Sequence, residues 1–249
     1  MSGSEQLSRF LRQVRELGGE ELYLDSLDRR EAIALARAFG SRTPVRVAAG
    51  GTPPESAPAP VDPQRAQALA QLGAEVAGCT RCRLASGRSN VVFGRGSAAA
   101  ELAVVGEAPG FEEDRTGLPF VGPAGRLLDL LLLSVGFGRD DVYICNVLKC
   151  RPPENRNPLP DEVNACFPYL RAQIECIGPK AILAVGKFAA QTLIGTEESI
   201  GKLRGRVFAY EGVPLVATYH PAFLLRSRQW VRATWEDFQL VRQVLDEQS

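Results

Sequence analysis

Six cysteines and a single histidine are the residues of this 249-residue chain best suited to metal or proton chemistry. A thiolate is a nucleophile and a soft metal ligand, and an imidazole gives or takes a proton near neutral pH. Cys79 and Cys82 form a C-x-x-C pair. Cys150 sits between Lys149 and Arg151 in "NVLKCRPPENRNP", where the prolines forbid a helix or a central strand. Cys166 follows after 15 residues. Zinc ribbons use two close pairs, and here the second is missing. A thioredoxin-like motif belongs at a strand-to-helix junction, and this pair follows a helix. Four thiolates at uneven spacing suit an iron–sulfur cluster, with buried structural cysteines as the plain alternative. Cys145, inside the apolar "DVYICNV", and Cys176, late in a helical stretch, read as core.

Three short segments add polar chemistry. "GEAPGFEED" (106–114) places Gly106 and Gly110 where a backbone can bend around a ligand, and crowds Glu107, Glu112, Glu113 and Asp114 together. A solvated acidic loop is the alternative. "RTGLPFVGPAG" (115–125) sets Phe120 between Pro119 and Val121. "TYHPAFLLR" (218–226) carries His220, which follows an apolar run.

The elements that must position these residues follow from hydrophobic periodicity. A helix is expected from Pro63 to about Cys79. After it, apolar runs at 101–110, 141–149 and 180–186 read as strands, and 206–221 as a hairpin whose second arm enters the core. Helical patterns occupy 124–136, 160–178, 187–195 and 228–248. The alternation predicts an α/β sandwich with a mostly parallel sheet. Ligands in such sheets bind at the carboxyl ends of strands, where "GEAPG", "NVLK" and "TYHP" all fall. Helical spacing also marks 4–17 and 28–40, a small appendage. The Gly-, Pro- and Ala-rich stretch to residue 62 reads as a flexible linker.

Composition narrows the partners. Basic and acidic residues balance, 29 against 29, so any nucleic-acid contact must come from a local patch. No apolar run approaches the ~18 residues of a membrane span. The amino-terminal residues lack a signal-peptide core. A cytoplasmic protein without membrane contact is expected.

"GEAPGFEED", "GLPFVGPAG", "NVLKCRPPENR" and "HPAFLLR", in that order, resemble the family 4 uracil-DNA glycosylases, the iron–sulfur branch of their superfamily. The cysteine pattern is similar to theirs as well. The resemblance spans about residues 68–247 and omits the first 60 or so. It implies a three-layer α/β/α sandwich around a four-stranded, mostly parallel sheet, within a domain of residues 63–249. It implies a [4Fe–4S] cluster on Cys79, Cys82, Cys150 and Cys166, and removal of uracil from DNA by hydrolysis of the N-glycosidic bond.

By the family's pattern, Phe120 stacks on the flipped uracil, Asn146 reads its edge, and the backbone of Gly106 to Ala108 surrounds it. Glu113 crowds the 5-methyl group of thymine. His220 hydrogen-bonds the departing base. Better-known glycosylases have Asp where this chain has Ala108, so another carboxylate must act: Glu107, with Asp114 as runner-up. Leu224 or Leu225 would wedge into the vacated stack, and Lys149, Arg151, Arg156 and Arg226 would face DNA phosphates.

A monomer is expected, with the appendage free to bind an unknown protein. The rival reading is a non-catalytic iron–sulfur DNA-binding or polymerase-accessory protein, which needs no base pocket. A related branch that traps the sugar covalently needs a second histidine, which the chain lacks.

Overall fold

The computed structural model describes residues 62–248. The expected appendage and linker therefore lie outside the described residues. No described helix is long and apolar enough to cross a membrane.

Six strands form one sheet: β1 (Arg95–Gly96), β2 (Leu102–Gly106), β3 (Tyr143–Asn146), β4 (Ala181–Val185), β5 (Val207–Tyr210) and β6 (Val213–Thr218). Their order is β1-β3-β2-β4-β6-β5. The four central strands are parallel, and the two edges are antiparallel. The expected four strands are thus the parallel centre of a six-stranded sheet. β5 is the outer arm of the expected hairpin. β1 is only two residues long, too short for any periodicity to reveal.

Helices cover both faces, giving three layers. Alternate side chains of each strand serve opposite faces. Ala103, Val105 and Cys145 pack with Leu170 and Ile174 of one helix, α4 (Pro160–Ile177). Leu102, Val104 and Ile144 pack with Leu128 of α3 (Pro123–Ser134) and Phe238 of α8 (Val231–Asp246). Burial on both faces explains why the strands read as unbroken apolar runs.

N-cap side chains mark the starts of two helices. Asp62 accepts a hydrogen bond from the Gln64 N–H at 2.9 Å ahead of Pro63, and α1 (Pro63–Ala77) begins there. α2 (Phe111–Thr116) follows the β2 loop, and α5 (Lys187–Ile194) follows β4. α6 (Ile200–Leu203) and α7 (Pro221–Leu224) are single turns. His220 caps α7, which places the histidine at the end of β6.

Candidate active site

The carboxyl ends of β2, β3 and β6 open into a cleft of about 550 Å3. Glu107, Phe120, Asn146 and His220 all line it. Four residues separated by more than a hundred positions in sequence therefore face one space.

Gly106, the last residue of β2, makes the close approach possible. A Cβ there would lie 2.3 Å from Asn146 Oδ1 and 2.7 Å from Phe120 Cζ. Asn146 is 2% exposed, and its Oδ1 is buried without a hydrogen-bond partner. An orphaned buried acceptor costs about 1–3 kcal/mol, so this one is suited to a ligand N–H. Phe120 is held at φ 52, a backbone conformation that non-glycine residues seldom adopt. Gly125 in α3 sits against its carbonyl, where a Cβ would clash at 1.7 Å. The "GPAG" spacing was the only sequence signal of that contact.

His220 stacks on Phe120, with ring centroids 5.6 Å apart. Its Nδ1 accepts the Ala222 N–H at 3.1 Å, so the ring proton belongs on Nε2. Burial pushes its pKa down to about 4; Glu113 opposes the shift and Arg226 adds to it. The imidazole is therefore neutral at physiological pH and acts as a donor. Two further features shape its surroundings. Gly186 leaves room beside the ring, and Thr218 just upstream donates to the buried Asp237 carboxylate at 2.7 Å. Sequence reasoning missed both.

The three expected carboxylates point to different places. Glu107 lines the cleft, and burial alone raises its pKa to about 7. Glu113 lines it too, but one oxygen accepts from the Gly110 N–H (3.1 Å) and the other from the Val121 N–H (3.0 Å). It thereby ties the two loops that carry the pocket. Asp114 is buried away from the cleft and accepts from the Ser89 N–H at 3.0 and 3.1 Å. It is a loop anchor, which removes it as runner-up for the catalytic carboxylate.

The uracil DNA glycosylase superfamily profile matches residues 93–239. A type-4 uracil-DNA glycosylase of Thermotoga maritima is 50% identical over 152 residues, 60% of this chain and 79% of the relative. One from Archaeoglobus fulgidus is 42% identical over 183 residues, 70% of this chain and 92% of the relative. The chain belongs to the type-4 uracil-DNA glycosylases. A further family member, from Saccharolobus solfataricus, is 42% identical over 180 residues, covering 69% of this chain and 83% of its own length.

In this type-4 family member, Cys79, Cys82, Cys150 and Cys166 line a single recess beside α4. Among the described residues, no three His, Cys, Asp or Glu side chains are gathered as a lone metal ion requires. A four-iron cube places its thiolates farther apart than one ion does, around the cluster rather than around a point. The donors facing the sulfurs fit that use. The Arg81 N–H lies 3.5 Å from Cys79 Sγ, Arg88 Nη1 3.3 Å from Cys150 Sγ, and the Lys149 N–H 3.3 Å from Cys166 Sγ. Such hydrogen bonds stabilise thiolate ligands. Cys145 and Cys176 lie outside the recess.

Several expected DNA contacts of this type-4 protein need correction. Lys149 is 1% exposed, and its ammonium donates to the Asn146 carbonyl at 2.6 Å. It braces the carboxyl end of β3 from inside and cannot face DNA. Burial lowers its pKa. Arg156 lines the cleft, but its guanidinium grips the buried Glu162 carboxylate at 2.9 and 2.5 Å. It pins the 152–159 loop to α4. Leu224 is 1% exposed, whereas Leu225 is 46% exposed, so only Leu225 can act as a wedge. Arg226 lines the cleft, and Ala108 lies in its wall.

Proposed function

We propose that this chain removes uracil from DNA by hydrolysing the bond between the base and deoxyribose. The observation that carries the reading is the buried, partnerless Asn146 Oδ1 beside Phe120. A uracil flipped out of the helix would stack on Phe120. The Asn146 amide would accept from its N3–H and donate to its O4. Cytosine reverses both polarities and would leave buried groups unpaired. Glu113, which lines the same cleft, would crowd a 5-methyl group in this reading.

As the C1′–N1 bond breaks, its electrons pass to the base and positive charge grows on the sugar. His220 Nε2–H donates to uracil O2 and stabilises the anion. Ionised Glu107 offsets the charge on the sugar and takes a proton from the water that attacks C1′. Leu225 fills the gap left by the flipped nucleotide, and Arg226 meets a phosphate.

Replacing His220 by alanine is expected to slow single-turnover uracil release by ~10²–10³, the usual cost of losing one preorganised donor. DNA affinity, which rests on phosphate contacts, should change little. A rate equal to that of the wild type would remove His220 from the mechanism.

We further propose that Cys79, Cys82, Cys150 and Cys166 hold a [4Fe–4S] cluster. When bound, it cross-links the 79–82 turn, the 150–158 loop and α4. Burial raises the Cys166 pKa to about 11 and raises that of Cys150 as well, so both thiols would have to lose a proton to act as ligands. Cys150→Ala is expected to lose iron, labile sulfide and visible absorbance, while Cys145→Ala retains all three. Full iron content in Cys150→Ala would exclude it as a ligand.

The activity itself is tested with oligonucleotides carrying uracil, cytosine or thymine at one position. Alkali-labile sites should form only at uracil. Labile sites at all three, or at none, would refute the reading.

A further inference from the structure

Phe111 is the most exposed large apolar side chain among the described residues, at 58%. It opens α2 and lines the same cleft as Phe120 and Asn146. The Arg151 guanidinium stacks over its ring, 5.1 Å from the centroid. Arg151 is itself oriented, because its Nε donates to Asn155 Oδ1 at 2.8 Å. Asn155 also lines the cleft and is held at φ 53. The cleft is far larger than one pyrimidine, and it continues from Phe120 to Phe111 and Asn155, with Arg151 held against Phe111 behind them.

We propose that Phe111 and Arg151 form a second base subsite, which holds the unpaired nucleobase adjacent to the flipped uracil. The inference rests on the uracil reading of the cleft. One face of the Phe111 ring is covered by the guanidinium, and the neighbouring base stacks on the other. Arg151 supplies positive charge for the phosphate joining the two nucleotides. Glu112, which also lines the cleft, is neutralised by Arg115 at 2.7 Å, so its carboxylate does not oppose that phosphate. Every base has a π-face, so the subsite is indifferent to sequence. It is not indifferent to strandedness: in a duplex the neighbouring base stays paired and stacked. The pair therefore favours uracil in single-stranded DNA.

The test combines a protein change with a DNA change. Single strands carry 2′-fluorinated deoxyuridine, whose electron-withdrawing fluorine resists glycosidic cleavage. The flanking nucleotide on either side is a normal base or an abasic spacer. Wild type should lose about 10- to 100-fold in affinity when the spacer replaces one of the two flanking bases. Phe111→Ala should lose a similar factor with the full strand and nothing more with the spacer, whereas Phe111→Trp should bind like wild type. Duplex affinity should fall much less than single-strand affinity in Phe111→Ala.

Additive losses from Phe111→Ala and the spacer would overturn the subsite, as would equal losses on single strand and duplex. The last outcome would make Phe111 a wedge. Uracil release by wild type from the unfluorinated strand tests the underlying reading separately. Release with additive losses sinks the subsite alone; no release sinks the reading itself.

Discussion

Replacing Glu107 by glutamine is expected to slow single-turnover uracil release by ~10²–10⁴, the range for a positioned acid–base group. Burial raises the Glu107 pKa to about 7, and the proposed mechanism needs its carboxylate ionised. The wild-type rate should therefore fall as pH drops below about 7 and level off above it. His220 does not produce that limb, because its pKa lies near 4. Glu107→Gln should be slow and nearly flat over the same range.

A stability readout separates chemistry from folding. The folded state raises the Glu107 pKa from 4.5, so it binds the proton more tightly than the unfolded chain does. Ionised Glu107 thus opposes folding progressively between pH 4.5 and about 7, and fully above. Glu107→Gln should raise Tm at pH 8 more than at pH 5. A slow variant with lowered Tm at both values would mark Glu107 as structural. Asp114→Asn should lower Tm, because Asp114 anchors the Ser89 backbone.

Asn146→Asp is expected to change which base leaves. A site built around such hydrogen bonds discriminates by ~10⁴–10⁵, and this substitution should reduce the uracil-to-cytosine rate ratio by ~10² or more. At a position this buried, an introduced carboxyl group is protonated more readily than in water. Its O–H can donate to cytosine N3 while the other oxygen accepts from the exocyclic amine. An ionised carboxylate there repels uracil O4 and the developing anion, so uracil release should slow. An unchanged ratio, measured under single turnover, would mean that Asn146 does not read the base.

The parallel centre of the sheet was legible because two-sided burial writes continuous apolar runs such as "ELAVVG" and "KAILAVG". The helices on its faces followed from the 3.6-residue period. β1 escaped because two residues carry no period. The cleft residues were legible as strand ends, since "GEAPG", "N" of "NVLK" and "H" of "TYHP" each terminate a buried run.

Orientation was the illegible part. Glu112, Glu113 and Asp114 are consecutive, yet successive helical residues point about 100° apart. Glu112 pairs with Arg115, Glu113 binds the pocket loops, and Asp114 turns inward. Leu224 and Leu225 differ by the same rotation around a one-turn helix. Lys149 misled because a lysine followed closely by Arg151 and Arg156 suggests a basic surface, while its carbon stem and ammonium are both accommodated inside.

Direct product analysis tests the central claim most closely. Enzyme in excess is mixed with a uracil-containing strand, and free uracil, abasic sites and intact strand are quantified over time. The account predicts free uracil and abasic sites appearing in equal amounts at the expense of intact strand. Tight binding with the strand left intact would contradict it and favour a binding protein. Strand scission without free uracil would contradict it as well, because the bond broken would then lie in the backbone.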